Sequence, residues 1–286
     1  MLQFRRINNL TGWIVFAIAA VVYLLTLEPT ASFWDCGEFI SSSYKLEVGH
    51  PPGAPFFMLM GRMFTLLASD PSKVSLMVNA MSGLASAFTI LFLFWTITHF
   101  ARKIAGNPST WKPAQYVSVI GSGVVGALAY AFSDTFWFSA VEGEVYATSS
   151  LLTAIVFWAI LKWEDCSEDR YANRWLILIA YLMGLSVGVH LLNLLAIPAI
   201  GMVYYFRKYE YSPKGAVKAF LISCAVLGII IWGIIPGIFQ IATRFELFFV
   251  NGFGLPYNSG AIFWILLLIG LVSYGVYYSF KRNKPL

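Results

Sequence analysis

The densest group of chemically capable side chains lies in the stretch Thr30–Gly53, which follows the first apolar run of a very hydrophobic chain. Of its three carboxylates, Asp35, Glu38 and Glu47, the first two are spaced so that a helix would present both on one face. His50 follows, just before a rigid Pro-Pro-Gly turn. A carboxylate in such a pair can act as a general base, because a close second carboxylate raises the pKa of one of them.

A structural role for part of this stretch is also open. Ser32 and Asp35 fit a capping box, in which Asp35 would only satisfy the first turn of a surface helix. Phe33 and Trp34 fit ordinary aromatic residues of a membrane–water interface. The residue types alone do not decide between a chemical and a structural role for this stretch.

Two further polar groups stand out in the apolar background. Glu142 and Glu144 flank a glycine and are followed by Tyr146. Alternating acids of this kind can bind a cation or sugar hydroxyls, although they also fit a solvated turn. His190 and Asn193 form a polar pair that could contact a phosphate or a sugar, or else a satisfied structural pair in a tight turn.

Few basic residues accompany these acids. Arg62 is the most informative, because it interrupts an apolar run, and an anionic lipid headgroup arriving from the bilayer would need at least one cation here. The alternative is that the Arg62 side chain snorkels to the membrane surface. The other basic residues expected on this side are Lys45, Lys73 and Arg244.

The composition of the chain indicates an integral membrane protein. Apolar residues make up 59% of the 286 residues and charged residues only 12%, about half the charged fraction of a soluble domain. The net charge of +5 is spread over short loops, which does not favour nucleic-acid binding. The sequence contains no Walker loop, so a site for nucleotide-driven transport is excluded, and its three cysteines have no metal-binding spacing.

Apolar runs predict about eight transmembrane helices, at about 20 residues per crossing. The first run competes with a cleaved signal peptide, but it is long for one. Ala54–Ala68 is short and contains Arg62, so we expect an interfacial helix there that does not cross. The predicted spans are Leu10–Leu27, Val74–His99, Tyr116–Phe132, Leu151–Trp163, Trp175–Val189, Leu191–Phe206, Ala219–Ile235 and Ala261–Phe280, with Pro236–Gly260 as a loop.

The distribution of basic residues predicts the orientation. With the N-terminus in the cytoplasm, fifteen of the nineteen Lys and Arg residues fall on the cytoplasmic side. The C-terminus, with Lys281, Arg282 and Lys284, is then cytoplasmic as well. The first outer loop, 28–73, and the second acidic outer loop, 133–148, would both face the periplasm or a lumen.

Several motifs together resemble a known family. They are Trp34-Asp35-Cys36-Gly37-Glu38-Phe39, Gly49-His50-Pro51-Pro52-Gly53-Ala54-Pro55, Glu142-Gly143-Glu144-Val145-Tyr146 and Gly188-Val189-His190-Leu191-Leu192-Asn193. They are similar to those of the bacterial and eukaryotic membrane family that includes the transmembrane protein O-mannosyltransferase of plexin-type receptors, within the GT-C superfamily of glycosyltransferases. Members of this family are usually longer and carry a soluble C-terminal region, which is absent from these 286 residues.

The resemblance implies a single GT-C-like membrane domain over residues 1–286 and an inverting glycosyltransferase of a bacterial inner membrane or the ER. A polyprenyl-phosphate sugar would be the donor, and Ser or Thr hydroxyls of exported proteins the acceptors. Asp35 and Glu38 would be catalytic. The resemblance requires no cofactor, although a divalent cation is compatible with it. Two other functions compete with a transferase: a carrier or flippase of a lipid-linked sugar, and a non-catalytic assembly subunit. The donor phosphate would meet His50, Arg62, His190 and Asn193, and the sugar or a cation would meet Glu142, Glu144 and Tyr146.

Overall fold

The computed structural model describes residues 2–281, which form helices and connecting segments with no strand among them. Arg282 and Lys284, which were predicted to be cytoplasmic, lie outside the described residues. The α-helices are α1 (Leu2–Leu25), α2 (Cys36–Lys45), α3 (Pro55–Thr65), α4 (Val74–Ala105), α5 (Pro113–Ala131), α6 (Asp134–Val141), α7 (Val145–Asp165), α8 (Asn173–Val187), α9 (Ile197–Lys208), α10 (Pro213–Gly228), α11 (Ile235–Leu247) and α12 (Ser259–Lys281).

The all-α, polytopic membrane architecture predicted from the sequence is confirmed. Within residues 2–281, six helical stretches are long and apolar enough to cross a membrane. These stretches are Gln3–Leu25, Pro71–Ala105, Pro113–Ala131, Val145–Asp165, Pro213–Gly252 and Ser259–Lys281.

The count of long helices is lower than the eight spans predicted. The predicted span Trp175–Val189 corresponds to α8, which has 15 residues, fewer than the about 20 needed to cross a bilayer upright. The predicted span Leu191–Phe206 is divided into a 3₁₀ segment, Leu191–Ala196, and the 12-residue α9. The apolar pattern indicates the length of this run but not the break in its helix.

The predicted loop Pro236–Gly260 is wrong over most of its length, because helix continues to Gly252. Pro236 lies in the first turn of α11, and α11 directly follows a π-helical segment, Ile229–Ile234. A proline removes one backbone donor and usually interrupts a helix, but a π-helical turn changes the hydrogen-bond register and accommodates the irregularity.

The described helices divide into two compact units. Unit 1 lies within Met1–Asp165 and Trp175–Ala196, and unit 2 within Cys166–Arg174 and Ile197–Leu286. In unit 2, Glu246 accepts hydrogen bonds from the backbone N–H groups of Asn258, Gly260 and Ala261 at 2.6–3.0 Å. It thereby satisfies donors at the start of α12 that have no partner within the helix.

The core of unit 1 is formed where α1, α4, α5 and α6 pack together. Tyr23, Ile90, Phe94, Ala127 and Ala140 are almost completely buried there. The phenolic hydroxyl of Tyr23 donates to the carbonyl of Ala131 at 2.8 Å, so this buried polar group is satisfied. The result is a rigid bundle to which the polar segments are attached.

The first predicted outer loop is largely ordered by two short helices, α2 and α3. Phe39, Phe57 and Met58 of these helices are buried against Val78 of α4 and Leu152 of α7. Helix α3 has 11 residues and is about 16 Å long at 1.5 Å per residue, too short to cross the bilayer core. That agrees with the predicted non-crossing segment, while its position at a membrane interface stays a prediction.

Candidate active site

Helix α2 presents Asp35 and Glu38 at its first turn, as the spacing predicted. Asp35 occupies the N-cap position, but its side chain makes no capping hydrogen bond. Its carboxylate is 54% exposed, and the alternative capping role is therefore not realised. Asp35 is left open to interact with a group outside the helix.

Glu38 is held by His50. The Nδ1 atom of His50 lies 3.0 Å from one oxygen of Glu38, and the backbone N–H of His50 donates to the other at 2.5 Å. Gly49 makes this approach possible, because a Cβ atom there would come within 2.8 Å of the Glu38 carboxylate. The left-handed conformation of Leu46, with φ of 56°, ends α2 and turns the chain back toward Glu38.

The two partners shift each other's protonation. The backbone N–H of His50 and then its ring nitrogen lower the pKa of Glu38. The hydrogen bond to Glu38, followed by its negative charge, raises the pKa of His50 above its ordinary 6.5. Both effects favour a carboxylate paired with an imidazolium.

Asp35 completes the group. Its Oδ2 atom lies 4.0 Å from Nε2 of His50, so the imidazole ring lies between the two carboxylates. One ligand atom from each of Asp35, Glu38 and His50 falls within 4.8 Å of the others. Oxygen and imidazole ligands at this spacing could also hold a divalent cation.

A second acidic segment lies beside this group and is more deeply buried. Glu142 and Glu144 are each 5% exposed. Burial raises the pKa of Glu144 to about 7, and the negative charges of Asp35 and Glu142 add to the effect. Burial likewise raises the pKa of Glu142, which hydrogen bonds from the side chains of Ser32 and Cys36 partly offset.

Asn79 joins the two acidic segments. It lies fully buried on α4 and donates from Nδ2 to the carbonyls of Glu28 at 2.6 Å and Thr30 at 2.9 Å. A Cβ at Gly143 would come within 2.9 Å of the Asn79 side chain, so only glycine fits there without a shift. Because Asn79 touches both segments, it fixes them at the same end of α4.

The turn that contains His190 supports α3. The carbonyl of Gly188 accepts hydrogen bonds from the N–H groups of Phe56 at 2.7 Å and Phe57 at 3.3 Å. The ring of His190 lies 5.5 Å from that of Tyr146, and its Nδ1 accepts the N–H of Leu192. Burial lowers the pKa of His190, which favours its neutral form.

The remaining predicted site residues are Asn193 and Arg62. Asn193 is completely buried, and its side-chain nitrogen and oxygen have no hydrogen-bond partner among the described residues. Arg62 donates to the carbonyl of Tyr44 at 2.6 Å and stacks over the Tyr44 ring. Arg62 is therefore anchored at the far end of α2 from Glu38.

Sequence reasoning missed two residues that shape the site. Cys36 is buried, and burial together with the charges of Glu142 and Glu144 raises the pKa of its thiol to about 12. A thiol in this state is a neutral neighbour of the carboxylates, not a nucleophile. Asn79 also went unnoticed, although an amide inside an apolar span is a signal that could have found it.

The fold and the site define a class: a polytopic, all-α membrane protein with an acidic and histidine-containing group at one end of its bundle. Within that class, the chain belongs to the family described as the protein O-mannosyl-transferase TMEM260 N-terminal domain, which matches residues 35–212. The matched region begins at Asp35 and includes every predicted site residue through Asn193. No solved structure matches the chain.

Two curated relatives carry the same description. The chain is 27% identical to the mouse (Mus musculus) protein O-mannosyl-transferase TMEM260 over 173 residues, which cover 60% of the chain and 22% of that protein. It is 24% identical to protein O-mannosyl-transferase tmem260 of Dictyostelium discoideum over 186 residues, 63% of the chain and 21% of that protein. The chain thus spans about a fifth of the length of these relatives.

Proposed function

We propose that the chain is the membrane domain of an inverting glycosyltransferase that moves a mannose-like hexose from a polyprenyl-phosphate donor to Ser or Thr hydroxyls of exported proteins. The relatives' description as protein O-mannosyl-transferases supports the transfer reaction. The observation that carries the proposal is the exposed Asp35 carboxylate, uncapped and adjacent to the Glu38–His50 pair.

Asp35 is the general base in this proposal. A base must reach the acceptor hydroxyl at hydrogen-bond distance, and Asp35 combines exposure with a fixed backbone at the start of α2. His50, charged through its bond to Glu38, orients the Asp35 carboxylate from 4.0 Å away. Glu38 acts through His50 and is a positioning residue.

The leaving phosphate requires a cation on the other side of the sugar. In inverting glycosidases the two catalytic carboxyl groups stand about 6.5–9.5 Å apart on opposite faces of the sugar, and His50, 4.0 Å from Asp35, is too close to Asp35 to take the opposite side. Arg62 is the cation proposed for the phosphate. It is bound to the carbonyl of Tyr44, which follows Asp35 by about 14 Å along α2 at 1.5 Å per residue, so Arg62 would contact the lipid phosphate and not the anomeric carbon.

The remaining polar residues would contact the sugar. Glu142 and Glu144 can accept hydrogen bonds from sugar hydroxyls, and Tyr146 with the neutral His190 presents an aromatic and hydrogen-bonding surface beside them. The nitrogen and the oxygen of the buried Asn193 side-chain amide have no hydrogen-bond partner among the described residues, so each could form a bond to a ligand. A divalent cation could bind at Asp35, Glu38 and His50, but the proposed step does not require one, because Arg62 supplies the positive charge.

The topology predicted from the charges supports a non-cytosolic site. Arg102 and Lys103, at the opposite end of α4 from Asn79, pair with Asp165 and Glu164, and this end holds the basic residues expected in the cytoplasm. In this orientation the N-terminus is cytoplasmic, and a lipid-linked donor reaches the site sideways from the bilayer.

The test is a transfer assay with the full chain in vesicles, a labelled polyprenyl-phosphate mannose and a Ser/Thr peptide. Asp35→Asn should lower the transfer rate by about 10²–10⁴-fold, the usual contribution of a general base. Asp134→Asn is the matched control, because Asp134 is an exposed carboxylate at the start of α6, and it should transfer at the wild-type rate. Undiminished turnover of Asp35→Asn would remove the base assignment, and movement of the lipid across the bilayer without transfer would favour a carrier.

A further inference from the structure

A cavity of about 460 Å³ lies in unit 1 between the first turns of α1 and the last turns of α4 and α7. Its lining includes His99, which follows Asn79 by twenty residues on α4, or about 30 Å at 1.5 Å per residue. The cavity is therefore separated from the Asp35 group by about the thickness of a bilayer core. Nothing in the proposed transfer reaction uses it.

The lining of this cavity is positively charged. Arg5, Arg102 and Lys162 contribute cations, and Asp165 is the one acid among the described lining residues. Asp165 holds Arg102 through hydrogen bonds of 2.9 and 3.0 Å. Arg5 on α1 and Lys162 on α7 stand beside this pair, so the lining as a whole carries more positive than negative charge, which suits an anionic ligand.

Polar atoms in the lining also lack partners. Nε1 of Trp95 and Oδ1 of Asn8 are buried without a hydrogen-bond partner among the described residues, whereas Nε2 of His99 lies 3.6 Å from the carboxylate of Glu164. An indole N–H can only donate, so the group that would satisfy Trp95 must be an acceptor. A buried donor without an acceptor destabilises the folded protein, and an oxygen-rich ligand would satisfy it.

The aromatic residues of the cavity lining favour a lipid headgroup over a soluble ion as its ligand. Trp13, Trp95 and Trp158 line the same cavity, and the ammonium group of Lys162 lies 5.1 Å from the centre of the Trp158 ring. Tryptophan concentrates at the level of lipid headgroups, and basic pockets between transmembrane helices bind phosphate-bearing headgroups. We propose that this cavity binds the headgroup of an anionic phospholipid from the leaflet opposite the Asp35 site.

The proposal is tested by native mass spectrometry of the delipidated full chain, titrated with phosphatidylglycerol, with phosphatidylcholine or with inorganic phosphate. Wild-type protein should retain one phosphatidylglycerol in preference to phosphatidylcholine. Removing a cation near a phosphate headgroup should weaken that binding by about fivefold. The double variant Arg5→Gln with Lys162→Gln should therefore lose about 25-fold.

The control is Lys214→Gln with Lys218→Gln, which removes two cations from α10 in unit 2 and should leave the preference unchanged. Arg5 is exposed, so Arg5→Gln alone keeps the test valid if the double variant fails to fold, and it should lose about fivefold. Equal retention of both lipids by the wild type, or an undiminished preference in Arg5→Gln, would overturn the proposal. Inorganic phosphate that displaces the lipid at equal concentration would also overturn it, in favour of a phosphate site.

Discussion

In the proposed reaction, Glu38 and His50 orient the Asp35 carboxylate only while they carry opposite charges. The raised pKa of His50 depends first on its hydrogen bond to Glu38, and the lowered pKa of Glu38 depends first on the backbone N–H of His50. Their interaction is complete between the ordinary pKa values of 4.5 for the glutamate and 6.5 for the histidine; it is lost as the pH rises through the raised pKa of His50 and as the pH falls through the lowered pKa of Glu38. The transfer activity proposed for Asp35 should therefore depend on pH through the charge state of Glu38 and His50.

Replacing Glu38 tests this connection. In Glu38→Gln the pKa of His50 should return toward about 6.5, so the protonated ring disappears at a lower pH than in the wild type. We expect the alkaline limb of the kcat/KM profile to move to lower pH. Glu47→Gln, an exposed acid of the same loop that pairs with Lys45, should leave the profile unchanged, and an unshifted limb in Glu38→Gln would exclude a role for charged His50.

Glu144 should make the protein less stable as the pH rises. Its pKa is raised from 4.5 to about 7, so the folded state binds the extra proton between these values, and stability falls through this window. At 1.36 kcal/mol per pKa unit, the effect amounts to at most about 3 kcal/mol. Glu144→Gln should thus melt at a higher temperature than the wild type at pH 8 but not at pH 5, and equal melting differences at both pH values would contradict this.

The individual site residues were predictable to different degrees. The positions of Asp35 and Glu38 on one helical face followed from their spacing alone. The bond between Glu38 and His50 did not, because it depends on the left-handed turn at Leu46 and on the missing side chain of Gly49. Burial of Glu144, and hence its pKa, depends on packing between distant segments, which one sequence does not reveal.

The short helices α2 and α3 owe their position to the longer helices beneath them. Apolar side chains hold them against α4 and α7, while Asn79 binds the segment before α2 and Gly188 binds the start of α3. The non-crossing α3 could be predicted from its length and from Arg62. These hydrogen bonds could not, because they rely on backbone carbonyls that any sequence provides.

Asn79→Leu should release the segment between Glu28 and α2. Leucine has a similar volume but no donor, so the carbonyls of Glu28 and Thr30 would each lose a part-buried hydrogen bond, at about 0.5–1.5 kcal/mol each. Hydrogen exchange should accelerate across residues 28–45. Ser86→Ala is the control, because Ser86 is buried on the same helix without a side-chain partner among the described residues. Unchanged exchange in Asn79→Leu would show that packing alone orders the segment.

The bundle of unit 1 separates two ends with different chemistry. Acidic and histidine side chains gather where α2, α3 and the start of α7 meet, and ion pairs such as Arg102 with Asp165 lie at the other end of α4 and α7. Apolar composition was enough to predict an all-α membrane protein. Six long apolar stretches are found within residues 2–281 against the about eight spans predicted, because a hydrophobic count does not register the 3₁₀ break at Leu191–Ala196.

Locating the donor headgroup tests the account most directly. A polyprenyl-phosphate mannose analogue with a photoreactive group on its sugar would be crosslinked to the full chain, and the labelled peptides identified by mass spectrometry. We expect labelling within residues 35–50 and 142–146, beside Asp35, and not in Asp134 or its neighbours on α6. Labelling confined to the His99 end of α4 would contradict a transfer site at Asp35.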